Sequence, residues 1–224
     1  FINSLGIAEN KYTTQIEPHD YICEINNTLS HINSILIGHS QDMWSYISKN
    51  YFLQKNVPGE IGSSTMPHKI NPINFENAEG NLGLANSMFR FLSDKLTISR
   101  LQRDLSDSTV LRNLGVGFGY SLLAYENLIR GLSKLTINKS KILEDIEDAW
   151  ELLAEPIQMV ARKYNISNSY ELLKEVTRGQ SVTKNILHNL IMSLKIPKSE
   201  KDKLLLLTPK NYIGYAVDLC NDKR

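Results

Sequence analysis

Cysteine is scarce. Cys23 and Cys220 are the two in 224 residues, far apart and without ligand-like spacing, so neither a disulfide framework nor a thiolate metal site is expected, and a reducing cytosol fits. Both are read as small helix-packing residues. Long apolar runs are missing as well. None approaches the roughly 18 residues that a bilayer span needs, which points to a cytoplasmic protein without a membrane partner. An excess of charge of one sign is also lacking: 25 Lys and Arg stand against 24 Asp and Glu, for a net charge of +1. That balance offers no overall attraction to nucleic acid, so any anion must be held locally. No histidine has metal-ligand company, and no metal or cofactor is expected. His19, His31, His39 and His188 are read as packing or surface residues. Repeats, low-complexity segments and a competing strand pattern are absent. Phe1 stands where an initiator Met would, with no signal-peptide pattern behind it, and the chain is expected to be the C-terminal part of a longer polypeptide.

Helical periodicity is what the sequence does contain. Tyr21, Ile25, Leu29, Ile32, Leu36 and Met43 recur at three-to-four-residue steps after His19 and Asp20, predicting a long helix towards Tyr46 and Ile47. Phe75, Ala78, Leu82, Ala85, Phe89, Leu92 and Leu96 predict a second helix after Pro72. Leu111, Leu114, Phe118, Leu122, Tyr125 and Leu132 predict a third. Gly115, Gly117 and Gly119 lie inside that third helix, each costing about 0.8 to 1 kcal/mol against Ala, so close helix approach is expected there. Apolar residues spread round more than one face suit burial between several subunits. From about Leu135 shorter helices are broken by Asn138, Pro156, Asn165, Gly179, Pro197 and Pro209, with Pro156 at a helix N1 position. The expected class is all-α: a helical-bundle domain over 1–135 and a small helical domain over 136–224.

Between the first two helices runs Gly-Ser-Ser-Thr-Met-Pro-His-Lys-Ile-Asn-Pro, residues 62–72. Pro67 and Pro72 forbid regular structure while Gly59 and Gly62 loosen the entry, giving a loop near 58–72 able to open and close. Lys69 offers a fixed cation and Asn71 an amide donor, both suited to a carboxylate. Ser63 or Ser64 offers an oxygen that takes a proton if its pKa is lowered. A nucleophilic serine is the weaker reading, because no Gly-x-Ser-x-Gly elbow surrounds the pair. His68 either contacts substrate or shapes the loop. Taken singly, each of these residues also fits a polar surface turn.

Arg103, Ser108 and Arg112 form a second group. At about 3.6 residues per turn, Arg103 and Arg112 would point apart on one continuous helix, so they converge only if a helix starts between them. Ser106, Asp107 and Ser108 supply that start signal. A helix beginning there would aim free N–H groups at an anion, with both guanidinium groups alongside. The competing reading is a capped helix whose arginines pair with Asp104 and Asp107.

The loop, together with residues 12–20 (Tyr-Thr-Thr-Gln-Ile-Glu-Pro-His-Asp), 75–81 and 100–113, resembles the adenylosuccinate lyase family of the fumarase/aspartase superfamily. The likeness runs essentially from Phe1 to Arg224. It implies an all-helical central domain forming the core of a homotetramer, followed by a compact helical domain. It also implies β-elimination of fumarate from adenylosuccinate to leave AMP, and the same reaction on the succinylaminoimidazole carboxamide ribotide of purine biosynthesis. By that resemblance Ser63 is the general base, with Ser64 its nearest competitor, and Lys69 stabilises the developing anion. Glu76 orients a catalytic histidine. Gln15, Met66, Lys69 and Asn71 hold substrate, Gln15 at its succinyl part, while Arg103, Ser108 and Arg112 hold the phosphate. The general-acid histidine lies N-terminal to this region, so the chain alone is expected to be inactive, and active sites are shared between subunits. The rival readings are another fumarate-releasing lyase, such as argininosuccinate lyase, and a catalytically idle helical scaffold.

Overall fold

A computed structural model of the chain describes residues 1–55, 71–168, 170–171, 173–174 and 182–222. The fold is helical and divides into two units, Phe1–Ile137 and Asn138–Arg224.

The first unit rests on two long antiparallel helices, α1 (Asp20–Ser48) and α2 (Ile73–Leu96), of 29 and 24 residues. At about 1.5 Å per residue they extend over roughly 43 and 36 Å. The Trp44 indole donates to Glu76 at one end, and the Asn86 amide reaches the Ser30 carbonyl further along, which fixes their antiparallel sense. The third helix of the sequence reading is two helices. Residues 112 and 113 break the run between α3 (Ser106–Leu111) and α4 (Leu114–Ser133). Phe75, Ala78, Leu82, Ala124 and Leu128 form one core cluster; Ile22, Leu92 and Leu96, covered by Val110, Leu111 and Leu114, form another.

The inward face of α1 keeps only part of the apolar stripe of the sequence, Leu36 and Met43 packing against the first cluster. Its buried residues are Ile22, Asn26, Asn33 and Ser40. Asn33 donates to Ser121 Oγ at 3.0 Å and accepts from the Tyr125 hydroxyl at 2.6 Å. Tyr21, Ile25, Ile32 and Ile35 are exposed, as are Val116, Leu122, Ile129 and Leu132 on α4. Together these side chains form an exposed apolar surface of the kind that marks an interaction site.

The glycines of α4 also sort themselves. A Cβ on Gly117 would stand 2.7 Å from Phe89 Cε1, and one on Gly131 would stand 2.9 Å from Phe75 Cζ, whereas Gly115 and Gly119 face nothing within 4 Å. Close approach therefore belongs to Gly117 and Gly131. Gly131→Ala pushes the buried Phe75 ring and is expected to cost about 1 to 3 kcal/mol, lowering Tm by several degrees in a thermal melt. An unchanged Tm would show that the α2–α4 contact yields freely.

One short ladder was not legible in the pattern. Strands β1 (Phe52–Gln54) and β2 (Leu135–Ile137) pair antiparallel, Phe52 opposite Ile137, and the Lys55 N–H donates to the Lys134 carbonyl at 2.8 Å. Three residues per strand are too few to show an alternating period. The ladder ties the end of α1 to the end of α4 and holds the near root of the segment 56–70.

The second unit packs Leu153, Ile157, Leu187, Ile191 and Leu204 into its own core. Its helices include Lys139–Glu147, Ala154–Lys163, Lys184–Ser193 and Lys198–Leu205. Pro156 sits at the third helical position, not the first, since the helix opens at Ala154; its missing N–H is still one of the unpaired donors of a first turn. Cys220 is exposed, not packed, while Cys23 is half-buried. No helix among the described residues is long and apolar enough to cross a membrane.

Candidate active site

The expected site residues fall at opposite ends of the first unit. At the end where α1 begins and α2 finishes, the segment before α1 crosses the turn that leads into α3, and the Gln15 N–H donates to the Gln102 carbonyl at 3.4 Å. Gln15 and Arg103 are thereby neighbours in the fold, although 88 positions separate them in sequence. Gln15 lines an open cleft of about 910 Å³ with Thr13, Glu9, Glu17, Asp20 and Glu24. Among the described residues, four carboxylates and no cation border that cleft.

The turn into α3 is built by its acids. Asp104 accepts from the Ser106 N–H at 2.9 Å and from Arg100 Nε at 2.9 Å. The Ser106 N–H first, and then Arg100, hold the Asp104 carboxyl far below the usual carboxylate range. Asp107 accepts from the Ser108 N–H at 2.6 Å. A helix does start at Ser106, but its N–H groups at Ser106 and Ser108 already serve carboxylates, so they are not the open anion cradle that the start signal suggested. Arg100, not Arg103 or Arg112, takes the ion pair with Asp104. Arg103 and Arg112 are exposed and form no ion pair with another described residue. The Ser108 hydroxyl donates to the Leu105 carbonyl at 2.9 Å and would have to turn away from it to donate to a ligand.

At the other end stand Asn71, which is half-buried, and Glu76. Glu76 is exposed in the first turn of α2 and accepts from Trp44 Nε1 at 3.1 Å, so its carboxylate is aimed by a side chain of α1. Ser63, Ser64, Met66 and Lys69 lie outside the described residues, as does His68. Their segment is rooted between Lys55 and Asn71, at the Glu76 end. Twenty helical residues, roughly 30 Å, separate Glu76 from Leu96 and the Arg103 turn beyond it. Within one copy, the described root of the loop and the two exposed arginines therefore stand about 30 Å apart.

A family model described as "Adenylosuccinate lyase C-terminal" matches residues 99–213, and a second, described as "Lyase", matches residues 1–85. The fold is shared with the class II fumarase of Schistosoma mansoni (TM-score 0.65, 18% identity, 91% of this chain and 41% of that one). It is shared too with the 3-carboxy-cis,cis-muconate lactonizing enzyme of Pseudomonas putida (TM-score 0.65, 19% identity, 96% and 49%). Among curated proteins the chain is 54% identical over 222 residues to the adenylosuccinate lyase of Escherichia coli K12, covering 99% of the chain and 49% of that protein. It is 57% identical over 219 residues to the adenylosuccinate lyase of Legionella pneumophila strain Corby, covering 98% and 48%. The architecture is that of a superfamily of helical lyases, and within it the chain belongs to the adenylosuccinate lyase C-terminal family. It spans about half the length of the curated relatives it matches.

Proposed function

We propose that this chain is the C-terminal half of an adenylosuccinate lyase, a cytoplasmic homotetramer that releases fumarate from adenylosuccinate and leaves AMP, and treats the succinylaminoimidazole carboxamide ribotide in the same way. The observation that carries the reading is identity of 54 to 57% with such lyases over nearly the whole chain. One structural feature supports it. Arg103 and Arg112 are exposed and unpaired among the described residues, which leaves two forked cations for a phosphate. The Gln15 cleft is acidic, so a dianionic succinyl group can enter it only with cations delivered from elsewhere.

In this reading, Gln15 donates to the succinyl group while Arg103, Arg112 and a re-turned Ser108 hydroxyl grip the phosphate. A second copy brings the loop, with Lys69, Asn71 and Met66 on the substrate. Negative charge gathers on the succinyl carboxylate as the carbon-bound proton leaves, and Lys69 meets that charge where it develops. Ser63 takes the proton, Ser64 being the alternative, and needs the nearby cation and exclusion of water to act as a base. Glu76, held by Trp44, orients the histidine that protonates the leaving nitrogen, supplied by the other half of the enzyme. The exposed stripes on α1 and α4 are the surfaces on which copies would pack.

The test is fumarate release by the complete enzyme. Turnover of adenylosuccinate, with AMP as a competitive inhibitor, is expected. Turnover of argininosuccinate in its place would assign the chain to the rival lyase, and no turnover of either would leave it a scaffold.

A further inference from the structure

His19, a packing residue in the sequence reading, stands between Gln15 and α3. Its backbone takes the left-handed conformation (φ 65°) just before α1, which a non-glycine residue adopts at a cost. Its N–H donates to Glu17 Oε2 at 2.6 Å. The imidazole is 9% exposed as part of the residue. Nδ1 lies 3.5 Å from Glu17 Oε2 and Nε2 lies 3.6 Å from Asp107 Oδ2. Both distances are a few tenths of an ångström beyond hydrogen-bond range, and neither ring nitrogen has another hydrogen-bond partner among the described residues.

We infer that His19 is a positioning residue: its ring, set between Glu17 and Asp107, pins the Gln15-bearing segment to α3, so that the group for the succinyl end and the groups for the phosphate end keep one spacing. This rests on the function proposed above and adds a residue to it. The two sides of the pin differ in firmness. Helix α3 is anchored by Val110 and Leu111 on the Ile22, Leu92 and Leu96 cluster. Residues 7–15 are all exposed and without regular structure, and the Gln15 N–H meets the Gln102 carbonyl only at 3.4 Å. A small inward shift of that segment lets the ring, with a proton on each nitrogen, donate to both carboxylates, hydrogen bonds of the strong kind, and polar contacts of an unliganded site commonly tighten in this way when substrate binds. Loss of the pin would free Gln15 and leave Arg103 and Arg112 where they are.

The test compares the complete wild-type enzyme with His19→Asn, His19→Gln, Gln15→Ala and the His19→Asn/Gln15→Ala double variant. Asn suits the left-handed backbone, so the fold is kept, but it is too short to reach Asp107. Gln places its amide nitrogen near the position of Nε2. His19→Asn is expected to lower kcat roughly tenfold to a hundredfold, as misplacement of a binding group by an ångström does, with inhibition by AMP and Tm unchanged. His19→Gln should restore most of the loss, and in the double variant the His19 change should add almost nothing to Gln15→Ala. Full kcat in His19→Asn, multiplying losses in the double variant, or a fall in AMP binding and Tm that accounts for the lost rate would each overturn the inference while the lyase reading stands. An inactive wild type would overturn both.

Discussion

Lys69→Ala is expected to lower turnover of adenylosuccinate by roughly two to three orders of magnitude, the usual cost of removing one preorganised donor from a developing oxyanion. The argument is electrostatic. The cleft that contains Gln15 is bordered by Glu9, Glu17, Asp20 and Glu24 and, among the described residues, by no cation, so a succinyl group arriving there meets like charge. Deprotonating the carbon beside its carboxylate adds to that charge, and Lys69 is the loop's one side chain with a permanent positive charge. Because Lys69 acts in the transition state and also holds the substrate, kcat should fall and kcat/KM should fall at least as steeply. Circular dichroism and Tm should not move, since the prolines and glycines around Lys69 are a loop pattern and loop residues rarely carry stability. A variant that unfolds would make Lys69 structural, and one that keeps its rate would remove it from the chemistry.

Arg112→Ala is expected to act on the other end of the substrate. Hydrogen bonds to a charged group are worth about 1.5 to 3 kcal/mol each, so affinity for AMP should fall by roughly ten- to a hundredfold or more, with Arg112→Lys recovering part of it because an ammonium cannot fork. Arg103→Ala should behave alike. Both side chains are exposed, so their removal breaks no ion pair among the described residues. Isothermal titration with AMP reads the effect directly. Unchanged affinity would leave the phosphate without its assigned partners and favour a lyase whose substrate carries none.

Most of the bundle was legible because its helices are long. Asp20 and Pro72 mark the starts of α1 and α2, and the apolar repeat runs to their ends. Inward and outward were legible only in part for α1, where Leu36 and Met43 of the stripe reach the core. Periodicity reports an apolar stripe and cannot say whether the chain's own interior or another copy receives it; here Asn26, Asn33 and Ser40 turn inward and Ile25, Ile32 and Ile35 turn out. The break at residues 112 and 113 hid inside a continuous apolar spacing, and the three-residue ladder was too short to leave a pattern. In the site, the sequence drew attention to Arg103 and Arg112 but not to Arg100, whose pairing with Asp104 leaves them unpaired. His19 was passed over because a histidine before a helix is common; the signal was Glu17 two positions earlier across Pro18, which lets a carboxylate fold back onto the next N–H. Ser63, Ser64, Met66 and Lys69 rest on the sequence and the family.

Mixing inactive variants tests the shared-site geometry most directly. Lys69→Ala and Arg112→Ala enzymes, each assayed at low substrate, are dissociated together and allowed to reassociate. If the loop and the arginines of one site come from different copies, random mixing rebuilds about a quarter of the sites with both groups intact, and activity climbs far above either parent. Activity that stays at the level of the two parents would mean that each chain supplies its own loop and its own arginines, contradicting the roughly 30 Å that α2 sets between them.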